Sequence, residues 1–177
     1  QDGELTALEV VNDYSEKELF RIFKSYGEIS NTGKLVSVIA SERRNGKITT
    51  TADLIKVLDK CAPKHREHKY YAQVFQAIRI EVNDELGVLE QFLNQMDAVI
   101  KPGGKLVVMS YHSLEDRLVK NYLKRGSISG VVEKDFYGNV LKPFSEVVRK
   151  PIMASEEEVE RNSRARSAKL RIAERNG

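Results

Sequence analysis

The chain has 177 residues, 41% hydrophobic and 31% charged, a composition that excludes disorder over most of its length. It suffices for one ordinary domain, or for a helical module joined to an incomplete second one. The formal charge of +3 is too small to identify a nucleic-acid binder by itself. A single cysteine, Cys61, excludes an intramolecular disulfide, and no apolar run approaches the ~20 residues of a membrane-spanning helix, so a cytoplasmic protein with no membrane partner is expected.

The sequence opens on Gln1-Asp2-Gly3-Glu4, without methionine, which reads as a processed or trimmed start. Leu5, Leu8 and Val11 begin a short amphipathic turn. Ser15-Glu16-Lys17-Glu18 has the form of a capping box, in which serine and glutamate satisfy free amides at a helix start, and Leu19, Phe20, Ile22 and Phe23 then recur at helical spacing up to Gly27. Leu35, Val36, Val38 and Ile39 repeat the period as far as Gly46. Thr50 or Thr51 caps another helix, which carries Leu54, Ile55, Val57 and Leu58 and stops before Pro63. These short helices predict a small bundle. The polar stretch from Lys64 to Lys69 separates it from a longer helical region, with stripes from Tyr71 to Val82 and from Leu86 to Val99 and a joint or kink at Asn83-Asp84.

The period changes after Pro102-Gly103-Gly104. Lys105 to Tyr111 is a nearly continuous apolar run, the pattern of a strand buried on both faces, and Ser113-Leu114-Glu115-Asp116 is placed to cap a helix reaching about Arg125. Helix, buried strand and helix in succession predict α/β layering with a parallel sheet. Further on, Tyr137-Gly138-Asn139 reads as a turn, Ser145 to Met153 alternates like a strand, and Ser155 to Glu158 opens an acidic-start helix. Ala168 to Glu174 alternates strictly enough to be the final strand.

Three constellations could carry chemistry. Ser110 to Arg117 sits where a strand ends and a helix begins, the rim at which open α/β sheets bind ligands. There His112 could act as acid, base or hydrogen-bond donor, and Ser113 with the free amides of the helix start could receive an anion. The alternative is that Ser113 is only a cap, that Glu115 and Asp116 favour the helix dipole, and that Arg117 pairs with one of them. Gln76, Arg79 and Asn83 fall at i, i+3 and i+7 on one helix face, suited either to base edges and phosphates or, with Glu85, to a solvated salt bridge. Arg161 to Ser167 spaces Arg161, Arg164 and Arg166 with small residues, which suits phosphates as well as a solvated loop. From Arg149 to Gly177 there are eight basic residues against five acidic ones, acids first. No glycine-rich dinucleotide turn, phosphate loop or cysteine pair is present, and His65 and His68 lack the company of a metal site, so no metal is expected.

Four phrases in order carry a resemblance: Leu5 to Asn12 (LTALEVVN), Phe75 to Leu86 (FQAIRIEVNDEL), His112 to Arg117 (HSLEDR) and Asn162 to Arg171 (NSRARSAKLR). At these residues the chain resembles the RsmH (MraW) family, bacterial methyltransferases that modify the exocyclic N4 of a cytidine in small-subunit ribosomal RNA. The resemblance implies an α/β fold: the carboxyl-terminal part of a Rossmann-like methyltransferase sheet (residues 84–177) together with a small helical inserted domain for substrate recognition (residues 1–83). The last strand should then slot between the strands at Lys105–Ser110 and Ser145–Lys150.

The family's motifs for S-adenosylmethionine lie earlier than this chain begins, so no cofactor-binding residue is assigned here and the chain alone is expected to be inactive. His112, Ser113 and Asp116 are the expected catalytic group, and Gln76, Arg79, Asn83, Arg117, Arg164 and Arg166 the expected RNA contacts. Ribosomal RNA within the small ribosomal subunit is the expected partner, with a homodimer through an open sheet edge as a further expectation. Two departures stand out. His68 to Val74 replaces a His-Pro-x-x-Arg-like phrase, and Ser163 stands where the family usually has proline. The competing reading is a non-catalytic RNA-binding remnant.

Overall fold

The computed structural model describes residues 5–177, so the reading of the first four residues lies outside the described part. The chain divides into two compact units, one ending at Glu85 and one beginning at Leu86.

The first unit is helical: α1 (Ala7–Asp13), α2 (Glu16–Ser25), α3 (Thr32–Asn45), α4 (Thr51–Asp59) and α5 (Glu67–Val82). Local capping chemistry sets most of the starts. Thr6, Ser15 and Thr50 each accept the amide of the third helical residue, and the acid there, Glu9, Glu18 or Asp53, returns the bond. Each such cap contributes about 1 kcal/mol. One face of every helix is apolar, and Val10, Leu19, Ile22, Phe23, Leu35, Ile39, Leu58 and Val74 pack into one core. The core is braced at its edge by Glu81, whose carboxylate accepts from Tyr14 Oη (2.9 Å) and Arg21 Nη2 (2.5 Å). The expected joint is real: α5 ends at Val82, α6 (Glu85–Val99) starts after it, and Asp84 between them has a positive φ of 47°.

The second unit continues α6 into β1 (Lys105–Ser110), α7 (Ser113–Arg125), β2 (Phe144–Glu146), β3 (Ile152–Met153), α8 (Glu156–Arg161), a 3-10 turn (Ser163–Ser167) and β4 (Lys169–Arg175). As expected, β4 lies between β1 and β2. The predicted parallel layering is corrected: every strand pairing among the described residues is antiparallel. The reason is that β1 finds its partner in the last strand of the chain, running back against it.

The expectation that β1 is covered on both faces is corrected too. Leu106 and Ser110 are buried, whereas Val107 and Met109 on the opposite face are 55% and 52% exposed. The covered face meets Leu93 of α6 and Val119 and Leu123 of α7, with Phe144 and Ala173 completing the cluster. The single strand expected from Ser145 to Met153 is two short pieces along one edge of β4. Between them Pro151 has no amide to donate, which interrupts the ladder.

Candidate functional site

Antiparallel pairing decides which distant residues meet. The β1–β4 register runs from Lys105 opposite Glu174 to Ser110 opposite Lys169. The carboxyl end of β1, leading into Tyr111-His112-Ser113, therefore lies beside the amino end of β4, which emerges directly from the Ser163–Ser167 turn. Two of the three sequence constellations, some fifty residues apart in the chain, share one rim of the sheet. Tyr111 and Met109 line a shallow cleft there with Asn162, Ala165 and Ile152.

At the head of α7 the cap is His112 and not Ser113, a correction of one position. His112 Nδ1 accepts the Glu115 amide (3.4 Å), and the Glu115 carboxylate accepts the amides of Tyr111 (2.8 Å) and His112 (3.2 Å). The box thus spans His112 to Glu115, and of the helix-start amides expected to be open to an anion, that of Glu115 is already used. A neutral imidazole accepting at Nδ1 carries its proton on Nε2, and that atom lies 3.4 Å from Glu115 Oε1. Ser113 is the first helical residue and is exposed.

Asp116 turns inward. It is 7% exposed, and its carboxylate accepts from Arg171 Nε (2.7 Å) and Nη2 (3.3 Å) and from Lys169 Nζ (3.3 Å). Arg171 is itself 6% exposed and has Glu146 on its other side at 3.6 Å. Burial alone would raise the Asp116 carboxyl, but the Arg171 bonds and charge, with Lys169, more than offset that and hold it below the ordinary aspartate value. This cluster ties the first turn of α7 to β4 and β2, directly beneath the rim. Sequence reading missed Arg171, Lys169 and Glu146. The signal was the strict alternation of β4, which puts Lys169, Arg171 and Ala173 on the face that turns inward.

The arginine stretch forms the 3-10 turn, capped by Asn162 Oδ1, which accepts the Arg164 amide (3.2 Å). Ala165 is buried and anchors the turn, while Arg164 and Arg166 are exposed on either side of it. Arg117 lies one turn into α7 and borders a different cleft, with Asn121 and Arg125.

The remaining constellation belongs to the helical unit. Gln76 Nε2 donates to the Tyr26 carbonyl (3.1 Å), Arg79 grips Glu85 through Nε (2.7 Å) and Nη2 (3.1 Å), and Asn83 Nδ2 donates to the same carboxylate (3.2 Å). Of its two sequence readings, the salt bridge with Glu85 is the one observed, although the Arg79 side chain stays 56% exposed.

The model of the MraW methylase family matches residues 1–176. The chain belongs to that family. Among its MraW-family relatives, the ribosomal RNA small subunit methyltransferase H of Cytophaga hutchinsonii is 54% identical over 170 residues, which cover 96% of this chain and 57% of that protein. The protein of the same name from Parabacteroides distasonis is 51% identical over 170 residues, 96% of this chain and 56% of its own length. That from Amoebophilus asiaticus is 48% identical over 175 residues, 99% and 56%. This MraW-family chain therefore spans just over half the length of the curated relatives it matches.

Methyltransferases of this kind imply a methyl donor. The strand-to-helix turns from β1 to α7 and from β3 to α8 contain no glycine, and in the first the amides of Tyr111, His112 and Glu115 are bonded within the turn. No helix among the described residues is long and apolar enough to cross a membrane.

Proposed function

We propose that the chain is the carboxyl-terminal part of a cytoplasmic, S-adenosylmethionine-dependent methyltransferase acting on the N4 amino group of a cytidine in small-subunit ribosomal RNA. The residues that bind the donor are supplied by polypeptide outside these 177 residues. The observation that carries the reading is the β1–β4 register, with Ser110 opposite Lys169, because it brings a polar helix-start turn and a two-arginine turn to one rim.

The bound donor supplies an electrophilic methyl group, and the chain supplies positioning, the larger share of what such a transfer needs. Arg164 and Arg166 hold backbone phosphates. His112 and Ser113 present hydrogen-bonding groups to the flipped-out base, with the imidazole oriented by Glu115. Asp116 acts through Arg171, keeping that turn in register with β4. Arg79 meets phosphate on its open side, and Gln76 and Asn83 support the end of α5 that presents it. Arg117 contacts RNA from its own cleft.

The test uses the longer protein that contains this chain, incubated with small-subunit ribosomal RNA and labelled donor, followed by nucleoside digestion and mass spectrometry. N4-methylcytidine is the expected product, and label on a ring carbon or a ribose would contradict the assignment. Changing Arg164 and Arg166 together to alanine should lower the rate by on the order of tenfold or more, and an unchanged rate would remove their role. The competing reading, a non-catalytic RNA-binding remnant, predicts RNA binding with no methyl transfer in the same assay. Self-association through the outer edge of β1, unpaired among the described residues, would appear as a concentration-dependent mass in sedimentation.

A further inference from the structure

Between α7 and β2 a short hairpin spans residues 133–141. Lys134 bridges Val140 in antiparallel fashion, Leu141 N donates to Glu133 O (2.8 Å), and Asp135 N donates to Asn139 O (2.9 Å). The tip is fixed by Asp135, whose carboxylate accepts from the amides of Tyr137 (2.9 Å) and Asn139 (2.8 Å) and from Asn139 Nδ2 (2.9 Å). Gly138 at φ +87° takes a backbone conformation that other residues rarely adopt. On this rigid tip Phe136 is 98% exposed and Tyr137 85%. Their rings meet edge to face with centroids 5.6 Å apart. Aromatic rings held fully in water by a turn with its hydrogen bonds satisfied serve no core, and mark a contact surface.

A second observation points to the class of partner. Beside the foot of the hairpin lies a cleft of about 740 Å³ whose lining includes Arg117, Asn121, Arg125 and Ser127, with the acids Glu90 and Glu133 on its margin. The first three recur at i, i+4 and i+8 and so stand on one face of α7. Arg125 Nη1 donates to the Gly130 carbonyl (2.8 Å), which fixes its fork. From Arg117 to Lys142 six basic residues face two acidic ones. Cations suited to phosphates next to π-faces that accept any base are the two requirements of single-strand recognition.

We propose that this hairpin docks single-stranded RNA, with unstacked bases lying on Phe136 and Tyr137 and the adjoining phosphates against the Arg117–Arg125 face of α7. The proposal rests on the RNA-substrate reading above and adds to it a stacking platform separate from the methyl-transfer rim.

The chain contains no tryptophan, so Phe136→Trp introduces a sole reporter at the tip. Its emission should be quenched by an unstructured oligoribonucleotide and unaffected by a fully paired RNA duplex of equal length. Phe136→Ala and Tyr137→Ala should each weaken single-strand binding by about tenfold, with an unchanged salt slope because no charge is removed. Unaltered emission in F136W, together with wild-type affinity in the doubly substituted F136A/Y137A chain, would overturn the proposal while leaving the RNA reading intact. Failure of the wild-type chain to bind either RNA at low salt would overturn both. A loss of dimer in the F136A/Y137A chain by sedimentation would assign the rings to a copy-to-copy contact instead, and the proposal would fall.

Discussion

Asp116 and Arg171 are each almost fully buried and of opposite charge, and such a pair is costly to break from one side. Replacing Asp116 with asparagine removes the two Arg171 bonds and the Lys169 pair and leaves Glu146 as the carboxylate facing Arg171, which should cost about 1–3 kcal/mol, read as a lowered denaturation midpoint. The pH dependence follows from the sign of the shift. The folded carboxyl sits below its ordinary value because Arg171 and Lys169 outweigh the effect of burial. Its stabilisation is therefore complete above the unfolded aspartate value near 3.9 and disappears as the pH falls through the lower folded value. D116N should flatten that acid limb, and an unchanged limb would show that the pair contributes nothing to it. The pair was illegible in the sequence for a physical reason. A carboxylate in the first turn of a helix is explained locally by the helix dipole, and nothing nearby announces an arginine 55 residues away.

Elements whose signals are local were legible, and those fixed by distant partners were not. Ser15 to Glu18 could be read as a capping box because both halves lie within one turn. At α7 the same logic slipped by one residue, since serine is the commoner cap and the imidazole of His112 took its place. The apolar run of β1 was legible as a strand, and the resemblance placed the last strand beside it, but the exposure of its outer face was not. Its exposed face and its antiparallel partner depend on β4, which arrives at the end of the chain. The hairpin at residues 133–141 has little periodicity and was legible only at its Tyr137-Gly138-Asn139 turn. Its attachment to α7 can be tested directly. Gly126 ends that helix at φ +71°, and a Cβ there would stand 2.2 Å from the Leu141 carbonyl oxygen. Gly126→Ala should therefore destabilise by at least about 1–3 kcal/mol. Wild-type stability in equilibrium unfolding would mean that the helix end and the hairpin are not held as described.

At the scale of the whole molecule, a helical unit and an α/β unit with a small antiparallel sheet each carry their own core. The family phrases in the sequence located the rim residues, and strand register explains how two of those phrases come to lie side by side. Hydrogen exchange of the chain with and without small-subunit ribosomal RNA tests that claim most directly. Protection should rise together in Tyr111 to Arg117 and in Ser163 to Ser167. Protection of one segment without the other, or of neither while RNA is bound, would contradict a shared RNA-facing rim.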